Sequence, residues 1–305
     1  MVSYYRFSGK LLVNVPDFRR SKVRGNSSPL AVTRCGNTEF RWGERTYVMG
    51  VMNLSPDSFS GDGLGSDIET ILAQARRFVA EGADILDVGG ESTRPGTEPK
   101  SMYGVEGELQ LVIPAIERLA RELPVPLRID TYKSAAASQA VRAGATMIND
   151  IWGLKRDPAL AKVAASAGVP IILMSNQRDT PCEDIMAGVT ADLKRAINLA
   201  LQAGIPEQNI IVDPGIGFGK SLKQNLEIIR RLSEFKSLGK PILLGTSRKS
   251  TIGLVLDLPI DQRVEGTAAT VAIGIANGAD IVRVHDVKEM VRVCRMSDAI
   301  VRGGK

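Results

Sequence analysis

The chain has little of the chemistry on which many enzymes rely. It is 305 residues long and contains a single histidine, His285, which excludes mechanisms that need two or three imidazoles. Its three cysteines, Cys35, Cys182 and Cys294, lie far apart without CxxC spacing, which argues against a disulfide scaffold and a structural zinc site. No apolar run approaches the roughly 18 to 20 residues that a membrane helix needs. We therefore expect no membrane partner and a cytoplasmic location.

The positive charge of the chain is confined to its beginning. The net charge is +5, but residues 1–35 carry seven basic side chains and one acidic side chain. Because the remaining residues hold 32 basic and 33 acidic side chains, the body has a net charge of −1. The body therefore gives no reason to expect a nucleic-acid partner. We predict a basic N-terminal extension over residues 1–40, whose alternatives are a disordered anchor, a transit-like segment and an extension without a role.

Short β-branched runs alternate with helical patterns from Tyr47 onward. Eight runs are almost wholly apolar, as parallel strands buried on both faces are. They are Tyr47–Met52, Asp84–Val88, Pro126–Asp130, Thr146–Asn149, Val169–Met174, Asn209–Asp213, Pro241–Leu244 and Asp280–Val284. Between them, Ser66–Glu69 and Ser221–Gln224 have the pattern of a helix capping box, and Gly82 is placed to end the first helix.

Eight strand–helix units in this length favour a (β/α)8 barrel, a fold of about 250 residues. The alternative is an open doubly wound sheet, which usually has fewer strands and a dinucleotide fingerprint after the first strand. That fingerprint is missing here. No linker rich in proline, glycine or serine divides the body. We therefore predict one barrel domain over residues 41–305.

Polar residues stand where the predicted strands end. Barrel enzymes place their chemistry at the carboxyl ends of the strands, so these residues are expected to meet on one rim. They are Asn53, Asp87, Asp130, Asn149, Asp150, Asp213, Ser247, Arg248, Lys249, Arg283, His285 and Asp286. Any single one could be a helix cap, and for Asp130 that alternative has about equal weight. The whole set is hard to explain as caps, which favours an active site.

Three loops beside this rim are rich in glycine. Residues 53–65 and 89–99 are long and polar, a composition suited to lids that close over a ligand, although a plain surface loop is the alternative. The run from Asp213 to Ser221 does not match a phosphate-binding loop, because a proline, Pro214, stands where that motif needs glycine. It is predicted to be a tight turn from strand to helix whose backbone approaches a ligand.

The rim suits a ligand with two unlike ends. Arg94, Lys249 and Arg283, with Asn53 and His285 nearby, could bind an anionic phosphorylated group. Asp130 and Asp213, with Asn149, could accept parallel hydrogen bonds from a flat heterocycle that carries an NH–C–NH₂ edge. A guanidine-like edge beside a pyrophosphate describes a pterin pyrophosphate.

Seven phrases in the sequence resemble those of the dihydropteroate synthase family, in family order and across the whole body. They are Gly50–Phe59, Asp87–Gly96, Ile129–Thr131, Ile148–Asp150, Asp213–Lys220, Ser247–Ser250 and Arg283–Val287. The resemblance implies a Mg²⁺-dependent transferase that condenses 6-hydroxymethyl-7,8-dihydropterin pyrophosphate with p-aminobenzoate. The products are 7,8-dihydropteroate and pyrophosphate. It also implies a homodimer.

The resemblance assigns roles to particular residues. It implies that the pterin is bound by Asp130, Asn149, Asp213 and Lys249, and that the pyrophosphate is bound by Asn53, Arg283 and His285. The p-aminobenzoate site would comprise Thr93, Arg94, Phe218 and Ser247. Asn53 would bind Mg²⁺, and the catalytic residues would be Asp130, Lys249 and Arg94.

The sequence departs from the family pattern in two places. Where the family usually has Met-His-Met after the fifth strand, this chain has Met174-Ser-Asn-Gln-Arg178, and these residues are expected to border the pterin pocket. In the first lid, Asp62 is shifted by one position, so its ion pair with Arg94 is only a hypothesis.

Two alternative functions stay open. One is a pterin-binding paralogue without catalytic activity, and the other is a corrinoid-dependent methyltransferase, which shares the barrel but has no use for a pyrophosphate cluster.

Overall fold

The computed structural model describes residues 30–55, 63–90 and 104–303. A short antiparallel hairpin comes first, formed by strands β1 and β2. Eight parallel strands follow and build one sheet. The strands are β1 Thr33–Cys35, β2 Thr38–Phe40, β3 Tyr47–Asn53, β4 Ile85–Gly89, β5 Leu127–Asp130, β6 Met147–Asp150, β7 Ile171–Met174, β8 Ile210–Asp213, β9 Leu243–Leu244 and β10 Ile281–Val284.

The eight parallel strands close on themselves. Strands β3 to β8 pair in chain order, and β10 pairs with both β3 and β9. A bridge between Val212 and Ile242 joins β8 to β9 and completes the ring. The predicted (β/α)8 barrel is therefore confirmed, and each predicted strand overlaps an observed one.

Nine α-helices within the described ranges surround this ring. They are α1 Ile68–Glu81, α2 Gly104–Glu122, α3 Ser134–Ala143, α4 Ala159–Ala167, α5 Ile185–Gln202, α6 Leu222–Arg230, α7 Ser250–Leu256, α8 Val264–Ala276 and α9 Val287–Val301. None of these helices combines the length and the apolar character that crossing a bilayer requires.

The helix termini follow the predicted pattern with one exception. The capping box of Ser221 and Gln224 is present at the start of α6, and Gly82 ends α1 in the left-handed conformation with φ of 105°. The capping box predicted at Ser66 is wrong. The side chain of Asp67 caps α1 instead by accepting the backbone N–H of Thr70 at 3.1 Å. The carboxylate of Asp67 also suits the positive end of the helix dipole.

Alternation along each strand separates two kinds of buried side chain. Residues such as Val48, Leu86 and Ile148 point outward and pack against the helices. Their neighbours, such as Met49, Ile85 and Met147, point into the barrel and form a second apolar cluster near the amino ends of the strands. Because successive side chains point to opposite faces, every second residue further along each strand also faces the barrel axis.

The hairpin of β1 and β2 closes the amino end of the barrel. Phe40 stacks on Trp42 with ring centroids 5.6 Å apart, and Tyr47 meets Phe40 edge-on at 4.8 Å. The indole N–H of Trp42 donates to Oγ1 of Thr33 at 2.9 Å. Residues 33–40 of the predicted extension thus form part of the barrel floor, while residues 1–29 lie outside the described ranges and their role stays a prediction.

Asp150 fastens the turn that follows β6. One of its carboxylate oxygens accepts the backbone N–H of Trp152 at 2.8 Å, and the other accepts that of Leu154 at 2.6 Å. Asp150 is only 1% exposed. Burial raises its pKa to about 6, although the two N–H donors favour the charged form.

The raised pKa of Asp150 makes a pH-dependent contribution to the free energy of unfolding. Because the folded carboxyl holds its proton more tightly, this contribution is fully present below the ordinary pKa of 3.8 and is lost as the pH rises through about 6. A difference of about two pH units corresponds to about 3 kcal/mol. We expect the stability advantage of the wild type over Asp150→Asn to fall by about this amount across that range in urea denaturation.

Asp157 provides the matched control. Its partial burial raises the pKa of the carboxyl, but hydrogen bonds from Ser134 outweigh that effect and lower it overall. The advantage of the wild type over Asp157→Asn should therefore grow with rising pH in the same range. A stability difference for Asp150→Asn that does not change with pH would contradict the assignment.

Candidate active site

The inward-facing positions at the carboxyl ends of the strands carry polar side chains. Asp130 of β5 is in register with Gly89 on one side and with Asn149 on the other. Asp213 of β8 is in register with Met174 of β7. The same end of the barrel receives Asn53 from β3, Arg283 from β10 and His285, which directly follows β10. The structure therefore places the predicted pterin-binding and pyrophosphate-binding residues at one mouth.

Asp130 and Asn149 form the first part of an acidic and amide wall. Nδ2 of Asn149 donates to Oδ1 of Asp130 at 2.6 Å, which fixes the orientation of the amide. Oδ1 of Asn149 is buried and has no hydrogen-bond partner among the described residues. Since a buried carbonyl oxygen usually finds a donor, this atom is available to a donor on a ligand.

Asp213 forms the second part of the wall. Its Oδ1 accepts the backbone N–H of Gly215 at 2.7 Å, and the residue is 7% exposed. Burial raises the pKa of Asp213, and the positive charge of Lys249 opposes that shift. A ligand that offers N–H donors stabilises the charged form of such a carboxylate.

Lys249 follows β9 and lies against the turn after β8. Nζ donates to the backbone oxygen of Ile216 at 2.5 Å and lies 4.9 Å from the centre of the Phe218 ring. Burial lowers the pKa of Lys249 to about 8, while Asp213 favours its charged form. The amine thus stays mainly protonated near neutral pH and can donate to a ligand.

The turn after β8 packs closely against the segment after β7. A Cβ atom on Gly215 would stand 2.1 Å from the backbone oxygen of Ser175, and one on Gly219 would stand 2.3 Å from the backbone nitrogen of Arg178. Both glycines have positive φ, 71° and 68°. The tight turn predicted from the sequence is therefore present, and two of its glycines are required by close packing as well as by conformation.

Lys220 joins these two segments, although the sequence pattern does not mark it as a site residue. Nζ donates to three backbone oxygens, of Ser175 at 2.9 Å, Gly215 at 2.8 Å and Phe218 at 3.1 Å. Burial lowers the pKa of Lys220 to about 7, and Asp213 opposes the shift. Lys220 belongs to the glycine-rich run after β8, but only the folded chain shows that its amine binds the backbone of its own turn.

The cationic side of the mouth is built on β10. Nε of Arg283 donates to Oδ2 of Asp87 at 2.5 Å, and the Arg283 side chain is 23% exposed. Nδ1 of His285 and the hydroxyl of Ser247 lie 2.9 Å apart. Arg283 is therefore anchored from below while part of its guanidinium faces the opening.

The residues after β7 that depart from the family pattern belong to a buried polar network behind the wall. The hydroxyl of Ser175 donates to Oδ2 of Asp192 at 3.0 Å, and Nε2 of Gln177 donates to the Ser175 hydroxyl at 3.0 Å. Nζ of Lys155 donates to the same Asp192 oxygen at 3.0 Å. Ser175, Asn176 and Gln177 are at most 3% exposed. The network ties the departure to α5.

A cavity of about 350 Å³ lies beside the turn after β8. Arg178, Ser250, Thr251 and Leu254 contribute to its lining. The guanidinium of Arg178 lies 4.9 Å from the centre of the Phe218 ring, so it contributes positive charge to this corner. Of the residues predicted for p-aminobenzoate, Phe218 and Ser247 lie near this end of the barrel, whereas Thr93 and Arg94 lie outside the described ranges. Asp62 lies outside them too.

Comparison with known proteins assigns the class. Residues 49–285 match the family described as pterin binding enzyme. Together with the acidic and cationic mouth of the barrel, this match defines a pterin-binding (β/α)8 enzyme.

Similarity to individual proteins is more specific. The chain is 51% identical to the dihydropteroate synthase of Clostridium beijerinckii over 270 residues, which are 88% of this chain and 99% of that protein. The crystal structure of dihydropteroate synthase from Clostridium difficile in the presence of pteroic acid is 47% identical in sequence and has a TM-score of 0.81. The match covers 86% of this chain and 99% of that one. The Xanthomonas albilineans dihydropteroate synthase with 4-aminobenzoic acid is 39% identical and has a TM-score of 0.82. That match covers 90% of this chain and 98% of the other.

The chain belongs to the dihydropteroate synthase family of transferases. The predicted family and the predicted activity, synthesis of 7,8-dihydropteroate from small-molecule substrates, are confirmed. The roles of the individual site residues stay predictions.

The wall can be tested at Asp213. Replacing Asp213 by Asn keeps the shape but removes the negative charge and one acceptor for ligand N–H groups. We expect the affinity for pterin pyrophosphate, measured by isothermal titration calorimetry, to fall by about tenfold to a hundredfold, which corresponds to about 1.5–3 kcal/mol for a charged hydrogen bond. Asp184→Asn is the control, because that carboxylate also accepts backbone N–H groups but caps α5. Wild-type affinity in Asp213→Asn would refute the role of Asp213.

Proposed function

We propose that the polar mouth of this barrel performs the dihydropteroate synthase reaction with the residues assigned above. The observation that carries the proposal is the side-by-side placement of two chemically unlike surfaces. One is the wall of Asp130, Asn149 and Asp213, which offers acceptors. The other contains Lys249 and Arg283, which offer positive charge. A pterin pyrophosphate has an edge of N–H donors and an anionic tail that match these surfaces.

The pterin is bound by the wall in this proposal. Its NH–C–NH₂ edge donates to the carboxylate of Asp213, and a further ring N–H donates to Oδ1 of Asn149, which has no partner among the residues described. Lys249 donates to an acceptor on the ring. A charged acceptor that faces two donors gives both affinity and a fixed orientation, so the methylene carbon of the substrate is held in one place.

The pyrophosphate lies on the other side of the mouth, against Arg283, His285 and Asn53. Arg283 is suited to this role because Asp87 anchors its Nε from below, which leaves the outer part of the guanidinium to bind phosphate oxygens. Preorganised positive charge of this kind stabilises the negative charge that develops on a leaving group.

The residues present fit a Mg²⁺ ion that arrives with the pyrophosphate. Asn53 offers a carboxamide oxygen at the end of β3, and the described residues contain no group of three His, Cys, Asp or Glu side chains that could hold a metal ion. Mg²⁺ usually keeps several waters and binds one or two carboxylates plus substrate phosphates, so Asn53 would add one neutral oxygen to a site made mainly by water and the pyrophosphate. When bound, Mg²⁺ supplies positive charge to the departing pyrophosphate.

The chemistry needs no protein nucleophile. As pyrophosphate leaves, the pterin methylene becomes electron-poor, and the carboxylate of Asp130 stabilises the positive charge that develops. The neutral amine of p-aminobenzoate then attacks the methylene carbon, so that a C–N bond replaces the broken C–O bond to pyrophosphate, and the nitrogen loses one proton to solvent. Phe218 and Ser247 shape the p-aminobenzoate site together with Thr93 and Arg94, whose assignment comes from the family resemblance because both lie outside the described ranges. Asp130, Lys249 and Arg94 are the catalytic residues in this assignment.

A coupled assay tests the function. We expect the purified chain to release pyrophosphate and form 7,8-dihydropteroate only when pterin pyrophosphate and p-aminobenzoate are both present, and at full rate only with Mg²⁺. Chelation of Mg²⁺ should lower the rate by about a hundredfold, the effect of losing one electrostatic stabiliser.

The same assay separates catalysis from binding alone. Asp184→Asn should match the wild type, whereas Asp213→Asn should lose activity. If the chain binds the pterin but releases no pyrophosphate in the complete mixture, it is a pterin-binding protein without synthase activity, and the proposed mechanism is wrong.

We also propose that the chain forms a homodimer in the cytoplasm. Helix α8 is apolar on nearly all sides, a property of helices that are covered on all sides, yet Ile273 is 51% exposed. Helices α7 and α9 beside it expose further large apolar side chains, Leu254, Val255, Leu256, Met296, Ile300 and Val301. A second copy would cover this face.

The three free cysteines fit a reducing compartment, which supports the proposed cytoplasmic location.

The dimer can be tested by placing charge on this face. Ile273→Glu should convert a species of twice 32.8 kDa into one of 32.8 kDa in analytical ultracentrifugation, because a buried carboxylate opposes association. Lys162→Glu, an exposed change on α4, should leave the dimer intact. A wild type that sediments as a monomer would contradict the proposal.

A further inference from the structure

Arg128 is a buried arginine to which the mechanism above gives no role. It lies on β5 two residues before Asp130, so both side chains point into the barrel and Arg128 is one layer deeper. It is 2% exposed and is in register with Asp87 of β4. An arginine at this depth cannot touch a substrate at the mouth, so any role must act through its neighbours.

Four charged side chains meet between this layer and the mouth of the barrel: Asp87, Arg128, Asp130 and Arg283, here called the four-charge cluster. Nη1 of Arg128 lies 2.7 Å from Oδ1 of Asp87, while Nε of Arg283 lies 2.5 Å from Oδ2 of the same carboxylate. Nη2 of Arg128 and Nη2 of Arg283 lie 3.8 Å and 3.7 Å from the two oxygens of Asp130. Each carboxylate therefore faces both arginines.

The contribution of Arg128 is mainly its charge. Its N–H bonds are not aligned with Oδ1 of Asp87, which has no hydrogen-bond partner among the described residues despite the short distance. Nε of Arg128 also has no such partner, and Nη1 meets the sulfur of Met49, a weak acceptor, at 3.1 Å. A positive charge among carboxylates in a low-dielectric interior acts strongly even without aligned bonds.

Charge counting shows what Arg128 changes. With it, the cluster holds two positive and two negative charges and is neutral. Without it, Arg283 alone would face both carboxylates. Asp213, whose charge also acts on Arg128, has a cation of its own in Lys249. Burial raises the pKa of Asp87, and Arg128 followed by Arg283 opposes that shift.

We propose that Arg128 is a positioning residue that neutralises Asp87 and Asp130 from below, so that Arg283 keeps its outward face for the pyrophosphate leaving group. This inference rests on the proposed function, because it takes Arg283 as the pyrophosphate ligand. Arg128 itself contacts neither the substrate nor the reacting atoms.

Two variants separate charge from packing. Arg128→Met removes the charge and keeps an unbranched side chain next to Met49, whereas Arg128→Lys keeps the charge and loses the guanidinium. The readouts are the pH profile of kcat/KM and the affinity for inorganic pyrophosphate from product inhibition. In Arg128→Met we expect the acid limb of the profile to move up by about one pH unit. The reason is that the Asp87 carboxyl loses a neighbouring cation, which raises its pKa. Pyrophosphate affinity should fall by about tenfold. Arg128→Lys should stay near the wild type in both.

A double variant keeps the test valid if Arg128→Met does not fold. Arg128→Met combined with Asp87→Asn removes one charge of each sign, so the cluster stays neutral with Arg283 and Asp130. We expect the acid limb of this variant to return to the wild-type position, which a purely structural role of Arg128 would not produce. Circular dichroism and thermal denaturation establish that each variant is folded.

The outcomes are distinct. The proposal is overturned if folded Arg128→Met keeps the wild-type acid limb and pyrophosphate affinity, or if Arg128→Lys shifts as far as Arg128→Met. It is also overturned if the double variant keeps a displaced acid limb. Turnover by the wild type in the same assay reports separately on the proposed function, so an active wild type with these results contradicts only the role of Arg128.

Discussion

The alternation of side chains along parallel strands in a closed ring is the constraint on which this molecule depends. Every second residue of each strand must face the barrel axis. Near the amino ends these positions carry apolar residues such as Met49 and Met147, which pack on the hairpin floor. One step further they carry Asp87 and Arg128, and at the carboxyl ends they carry Asp130 and its neighbours on the mouth. Short strands that are far apart in the sequence thus deliver polar groups to one place.

Collecting charges in an interior has a cost that the structure offsets by pairing. Burial raises the pKa values of Asp87 and Asp213 and lowers that of Lys249, so each ion is disfavoured on its own. Opposite charges stand close enough to counter this effect, and removing one partner of such a pair is more damaging than never having built it. A site of this kind is poised for a ligand that brings both donors and negative charge.

The loops after β7 and β8 are held by close backbone contacts in addition to the apolar packing of Ile216 and Phe218. Gly215 and Gly219 allow the two segments to approach within distances that no side chain would permit. Lys220 then binds carbonyl oxygens from both segments. Ser175 and Gln177, where the sequence differs from the family pattern, join this arrangement behind the wall. The Ser175 hydroxyl donates to Asp192, and Gln177 donates to that hydroxyl. The wall residues themselves are therefore carried on a rigid support.

The sequence by itself determined the order of the eight strands, the barrel and the family, because apolar runs, glycine stops and the seven phrases are local signals. It also placed Asn53, Asp130, Asn149, Asp213, Lys249, Arg283 and His285 at strand ends. Local signals could not show that Asp67 rather than Ser66 caps α1, that residues 33–40 close the floor, or that Lys220 turns back on its own loop. They also did not mark Arg128, which reads as an ordinary strand residue until β4 and β10 bring Asp87 and Arg283 beside it. Only the tertiary structure decided these points, since each depends on contacts between segments that are distant in the chain or on the competition between neighbouring polar groups for the same backbone donors.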